Sequence, residues 1–283
     1  MILGHFEYLD KWMMSNVWRG LASILILSIS ISCSNFRKIE KSDDWRVKYE
    51  AGLNYYAKKD YYRSSVLFEQ ILPIVRGLPE GEKVEFNLAY CQYNEKLYLL
   101  ASDQFKTFFE TYGRSAMAQE AYFMYAYSLY ASSPDYKKDQ SSSIEAMNAM
   151  QTFLNRYPGS QFMNQAIEVI TESQEKLEKK GFENARQYIK LRMYKAAVES
   201  FDNFKQNFPD SKYLEEAAYL KVEAEFELAN ISIPSKQLER YTAALTYYQE
   251  LVDNFPNSIY LKQAERYYTE SLSKVNKFKN NKV

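Results

Sequence analysis

The sequence is poor in the residues that most catalytic chemistry needs and in those that sharp turns need. Histidine occurs once in 283 residues, as His5, and cysteine twice, as Cys33 and Cys91. Ser-His-Asp and Cys-His nucleophilic systems require an imidazole beside the nucleophile. His5 lies in what reads as a leader, so the body of the chain is left without one. Two cysteines in unlike contexts cannot build a zinc site, which needs three or four ligands, and no disulfide is expected between them. GxGxxG, P-loop and HExxH patterns are missing, which removes the usual nucleotide and zincin signatures. No metal or cofactor is therefore expected, and no enzyme. With eight glycines and seven prolines the chain lacks the turn residues of an all-β fold. It also lacks excess charge of either sign. Thirty-six basic and 36 acidic residues cancel, so no global field draws it to nucleic acid, which is not an expected partner.

Aromatics are abundant instead, with 26 Tyr and 17 Phe. Such density suits packed helices with wide amphipathic surfaces, because Tyr buries a large ring and keeps a hydroxyl for water or a partner. Near the N-terminus, residues 17–33 read VWRGLASILILSISISC. One Arg precedes an uncharged run of about 11 residues, too short for a bilayer core that needs ~20, and small residues stand before the cysteine. Ser30-Ile31-Ser32-Cys33 resembles a bacterial lipobox, with Ser30 where Leu is common. The expectation is a cleaved leader over 1–32, lipidation of Cys33 (palmitate and diacylglyceryl chains), and a polar tether over 33–44. Met13 or Met14 offers a second plausible start. No acidic cluster directly follows Cys33, which favours a periplasm-facing anchor over surface export.

The body of the chain repeats itself. From Ala101, aromatics fall at Phe105, Phe108 and Tyr112, with Ser115 three residues further on. The same offsets recur from Ala146 (Met150, Phe153, Tyr157, Ser160), Ala197 (Phe201, Phe204, Phe208, Ser211) and Ala244 (Tyr248, Leu251, Phe255, Ser258), and a degenerate copy starts at Ser64. Spacings of four, three and four mark one face of an α-helix, and Ala at the origin lets a neighbour approach closely. Aromatic-Pro-x-Ser then stops the helix and caps the next, since a residue before Pro avoids helix and Ser caps readily. Small residues at Ala121, Ala166, Ala217 and Ala264, each six after the Ser, open the next unit. The predicted unit is helix, turn, helix, stop, about five times over, with a capping helix from Ile259 to about Val275 and a flexible tail over 276–283. Residues 132–143 and 231–240 read as polar loops, and Phe162 to Lys180 as a long helix.

This pattern resembles the tetratricopeptide repeat (TPR), with Gly52 and Tyr55 at that family's Gly and Tyr positions. The resemblance implies an all-α superhelical solenoid over 45–275 whose first helices line a concave binding surface. Carrying its groove positions onto repeats one to three selects Tyr49, Leu53, Tyr56, Phe86, Tyr90, Tyr93, Met124 and Tyr127 as a partner or substrate groove. Tyr offers rigid amphipathic area and Met adapts to its partner. Cys91 and Trp45 read as core residues.

A lipoprotein leader followed by irregular repeats ending in NRYPGS, QNFPDS and DNFPNS resembles the BamD family, the lipoprotein subunit of the outer-membrane β-barrel assembly machinery. The resemblance implies an outer-membrane, periplasm-facing scaffold. Its C-terminal repeats would bind the barrel subunit BamA, its N-terminal repeats would receive unfolded outer-membrane proteins, and its lipid would hold the membrane. A SusD-like glycan-binding lipoprotein and a repeat adaptor of cell division or peptidoglycan coordination are the alternatives. The first would be much longer, and the second tends to carry a coiled coil before its repeats.

Overall fold

The computed structural model describes residues 35–280, whose regular secondary structure is all helical, with no strand among them. The expected leader, His5 and the expected lipidation site Cys33 lie outside the described residues. A short helical segment over 35–40 precedes α1 (Trp45–Ala57), α2 (Tyr61–Val75), α3 (Pro79–Asn94), α4 (Tyr98–Thr111), α5 (Ala118–Ser132) and α6 (Ser141–Arg156). There follow α7 (Met163–Lys190), α8 (Tyr194–Asn207), α9 (Leu214–Asn230), α10 (Pro234–Asn254) and α11 (Leu261–Asn280). The chain forms two compact units, Met1–Ser132 with Ala149–Ala166 and Ser133–Asn148 with Ile167–Val283. Each is a stack of helix pairs of the tetratricopeptide type. None of the described helices is long and apolar enough to cross a membrane.

The repeat positions explain the packing. Ala101, Ala121, Ala146, Ala166, Ala197, Ala217, Ala244 and Ala264 are all buried, as is Ser64 at the degenerate origin. A methyl group at each crossing lets two helix backbones close up, and the aromatics one turn further on fill the space beside it. In the first unit Phe105 and Phe108 lie against Phe86 with ring centroids 6.0 and 5.2 Å apart, and Phe123 stacks on Phe162 at 4.5 Å. Phe68, Ile71, Val84, Leu88 and Cys91 form the core between α2 and α3, with Trp45 packed against it. In the second unit Phe182, Phe201 and Phe204 share one cluster, and Val222, Phe226, Tyr241 and Tyr267 another. Full burial of one Phe contributes on the order of 1.5–3 kcal/mol.

Both kinds of turn follow from the sequence. After the aromatic endings, the Ser115, Ser160, Ser211 and Ser258 hydroxyls each accept from the amide two residues on, at 3.0, 3.1, 3.2 and 3.1 Å. Within pairs, the first helix closes through a left-handed residue: Lys59 (φ 60°), Lys96 (φ 64°) and Arg192 (φ 57°). The following amides of Asp60, Leu97 and Met193 reach back to the carbonyls of Tyr55, Gln92 and Tyr188, each at 2.9 Å. This is the bonding of a Schellman close, with a cation where glycine is usual.

Several boundaries differ from the sequence expectation. Residues 234–240, expected in a polar loop, are the first turns of α10; Pro234 occupies a first-turn position, where its missing N–H costs nothing and its fixed φ suits the helix. The helix expected to close near Lys180 runs on to Lys190 through Gly181, because a Cβ there would stand 3.0 Å from the Phe208 ring and 3.2 Å from Phe204. Glycine is what admits those rings. Residues 35–40, read as part of a tether, are helical: the Phe36 ring meets Tyr55 edge-on at 5.7 Å, and the Arg63 guanidinium lies 5.5 Å from it. Residues 276–280, read as tail, continue α11, where Phe278 packs on the Tyr241 cluster.

Gly52 tests the packing most directly. A Cβ at this position would lie 2.6 Å from a ring carbon of Phe68, itself fully buried. Gly52→Ala is expected to destabilise by ~1–3 kcal/mol, lowering Tm by several degrees in a thermal melt. Gly159→Ala, where a Cβ meets nothing within 4 Å, should stay within about 0.5 kcal/mol of wild type.

Candidate partner-binding surfaces

The eight groove residues expected on α1, α3 and α5 all fall in the first unit, and the structure divides them. Phe86 and Met124 are buried, Phe86 among the rings of Phe105 and Phe108. They are core. Tyr49, Leu53 and Tyr56 are half-buried and lean on the cluster around Phe68 and Leu88. Tyr90, Tyr93 and Tyr127 are half-buried as well. The resemblance to the tetratricopeptide repeat selected all eight on the first helices of their pairs, and helical spacing could not separate ring positions aimed inward from those at the surface.

The tyrosines are joined across helices. Tyr93 on α3 approaches Tyr127 on α5 with ring centroids 6.2 Å apart, and Tyr127 in turn stacks on Phe123 at 5.4 Å. The Tyr90 hydroxyl donates to the Glu120 carboxylate on α5. Burial raises the Tyr90 phenol, and the bond to ionised Glu120 raises it further. Burial also raises Tyr56, with Cys91, Tyr61 and Glu120 adding to the effect, and pushes Tyr93 up to about 12. Tyr56, Tyr90 and Tyr93 are therefore held as neutral phenols, and with Tyr127 they form one strip that has Glu120 as its carboxylate. Sequence reasoning passed over Glu120. It stands four residues before Met124 and seven before Tyr127, on the same helical face, but carboxylates on helices read as solvated. Cys91 is fully buried and burial lifts its thiol to about 12, so thiolate chemistry has no footing there.

The second unit carries a different surface. A cavity of about 310 Å³ opens among α8, α9 and α10, walled by Phe201, Leu214, Ala217, Tyr247 and Phe255. Asp202, Lys205, Lys221 and Glu250 supply charge to it. Lys221 is held in place, its Nζ 2.6 Å from Asp202 Oδ1 and 3.7 Å from the Tyr247 ring centroid. Such a site accepts an apolar side chain flanked by polar groups. No residue was singled out from the sequence for this cavity, because the walls come from three helices brought together only by packing. Tyr219 and Glu223 on α9 meet Tyr267 on α11 in a second phenol-carboxyl cluster, where burial raises Glu223 against opposing bonds from both tyrosines.

Glu225, buried on α9, offers a pH test. Burial raises its carboxyl above the ordinary 4.5, and Arg240 and Lys221 only partly oppose this. A raised native value means that the ionised form is penalised in the fold. The penalty is full above that value and gone below the ordinary one. Glu225→Gln should therefore melt above wild type at pH 7, with the advantage vanishing as pH falls below the ordinary 4.5. Separately, Tyr90→Phe should cost ~1 kcal/mol by stranding Glu120, measured by denaturant titration.

Comparison with known proteins places the chain in a family. Residues 42–233 match the family described as an outer membrane lipoprotein, YfiO, and residues 235–258 match a tetratricopeptide repeat. A protein of Aquifex aeolicus (strain VF5) named a putative outer membrane protein assembly factor BamD is 29% identical over 231 residues, 80% of this chain and 73% of that protein. Two solved structures align more loosely. A thermophilic TPR protein of Thermus thermophilus gives a TM-score of 0.32 at 15% identity, covering 81% of this chain and 99% of that one. The TPR2AB domain of yeast Sti1, in a pHSP90 complex, gives 0.38 at 12%, covering 80% and 98%. Both are too distant to inform the surfaces.

Proposed function

This chain belongs to the YfiO family of outer membrane lipoproteins, and we propose from that premise that it is a non-enzymatic scaffold of outer-membrane protein assembly. In this reading Cys33 carries the lipid, the folded body faces the periplasm, and the two units divide the binding work. The first unit receives unfolded β-barrel proteins along Tyr56, Tyr90, Tyr93 and Tyr127, with Tyr49 and Leu53 beside them. The second unit docks the barrel subunit, a BamA-like protein, at the cavity walled by Phe201, Tyr247 and Phe255. The observation that carries the reading is the family match over 192 of the 283 residues, from 42 to 233. The resemblance to an assembly factor named BamD gives it direction.

The chemistry is consistent with such a role. An unfolded barrel strand is extended and alternates apolar and polar side chains, so a strip of half-exposed phenols can hold it loosely by ring contact and hydroxyl hydrogen bonds. Loose binding suits a client that must move on. A permanent partner instead favours a formed pocket with fixed charge, which Lys221 and Asp202 provide.

Affinity capture of the full-length protein from gently solubilised envelopes, followed by mass spectrometry, tests the reading. A large outer-membrane barrel protein with repeated periplasmic domains is the expected catch; glycan transporters or division proteins alone would sink it. Tyr93→Ala with Tyr127→Ala should weaken binding of unfolded barrel segments about tenfold, as loss of two aromatic contacts does. The same double variant should leave recovery of the barrel subunit unchanged.

A further inference from the structure

The two turns within pairs of the first unit, α1–α2 and α3–α4, lie side by side: the Ser65 hydroxyl at the start of α2 donates to Glu95 Oε2 at the end of α3 across 3.3 Å. Around them the surface is apolar to an unusual degree. Tyr62 is 65% exposed, Leu97 49%, Leu99 59% and Leu100 44%. Exposed leucine at the last turn residue and at two first-turn positions of α4 is not needed by the helix and is disfavoured in water.

Charge accompanies the patch. Lys58, Lys59 and Lys96 are exposed at the two turns, Lys59 and Lys96 being the left-handed residues that close α1 and α3. Of the carboxylates beside them, Asp60 pairs with Arg63 at 2.9 Å, while Glu95 accepts from the neutral Ser65 hydroxyl and keeps its charge, leaving the lysines in excess. Arg37 and Lys38 add exposed cations on the entering helix, against Glu40 alone. Exposed apolar side chains ringed by cations suit a lipid headgroup layer, where rings and leucines enter the acyl boundary and cations meet phosphates.

The chain itself enters at this edge. Phe36 packs on Tyr55 and under Arg63, beside the α1–α2 turn. Cys33 is three residues earlier, and three residues span at most about 10 Å. Any lipid on Cys33 is thereby tethered within that reach of Phe36, which packs on Tyr55 and Arg63. The opposite edge of the unit also exposes Ile74 and Leu78, but Glu80 and Glu82 stand beside them and no chain enters there.

We propose that the α1–α2 and α3–α4 turns of the first unit form a docking edge for the bilayer surface, seating Tyr62, Leu97, Leu99 and Leu100 among headgroups. The inference rests on the reading that Cys33 is lipidated. It gives the anchor a second contact, so that the lipid fixes the orientation of the first unit rather than merely tethering it.

The test places a spin label at either end of one helix. Full-length, lipidated protein carrying Leu99→Cys or Thr111→Cys is reconstituted in phosphatidylethanolamine–phosphatidylglycerol vesicles, dilute enough to keep copies apart. Accessibility to oxygen and to a nickel chelate is then read by electron spin resonance. The expected result is a label at 99 shielded from nickel at least about threefold more than the label at 111, with oxygen access raised, as an interfacial position gives. Lys58→Glu with Lys96→Glu should reduce that shielding, and more so at low salt. Equal wetness at both positions on protein whose Cys33 is acylated by mass spectrometry overturns the docking edge and leaves the anchor standing. Lack of acyl mass on Cys33 sinks the anchor and the edge with it. Shielding that grows with protein density marks a second copy as the occupant and also overturns the proposal.

Discussion

The close approach of helices at alanine is the constraint on which the rest of the structure depends. A methyl group at each repeat origin, and another six residues after each capping serine, is small enough for backbones to meet and large enough to exclude water. Once those crossings are fixed, the aromatics four and seven residues on have one place to go. The Ser caps and left-handed closes then set how each helix hands over to the next. Glycine plays the same part where even a methyl is too large, at Gly52 against Phe68 and at Gly181 against Phe204 and Phe208.

Tyrosine does two jobs in this fold, and the hydroxyl decides which. Where it finds a carboxylate, as Tyr90 finds Glu120, the ring serves as half-buried packing with its polar end satisfied. The pair stays neutral on the phenol side because burial disfavours the phenolate. A surface built this way offers flat apolar area at little cost in side-chain entropy, since Tyr has few rotatable bonds to fix. The high Tyr content is thus a property of the surfaces as much as of the core.

The two units present unlike chemistry to their surroundings. The first shows a shallow phenolic strip and, at its turn edge, leucines among lysines. The second shows a formed cavity with a cation pinned between a carboxylate and a ring. The chain belongs to a family of outer membrane lipoproteins; in the reading proposed above, the shallow strip serves mobile clients and the formed cavity a lasting partner.

By itself the sequence determined the helical class, the repeat unit, the buried alanines and the capping serines, because these depend on local spacing and on backbone preferences of neighbouring residues. The resemblance to the tetratricopeptide repeat put the eight groove candidates on the first helices of their pairs. Tertiary structure decided what spacing cannot express. Phe86 and Met124 turned inward while Tyr93 and Tyr127 stayed half-exposed, since which side of a helical face meets a neighbour depends on the crossing and not on the period. Glu120 became the partner of Tyr90, 30 residues away in sequence. The helix expected to close near Lys180 ran on through Gly181, where the missing side chain leaves room for Phe204 and Phe208, and Pro234, expected in a loop, became a helix start because proline suits a first turn. Phe36, which read as tether, was drawn onto Tyr55 and Arg63. Each of these outcomes rests on contacts between distant segments, whose energies exist only once the helices have been brought together.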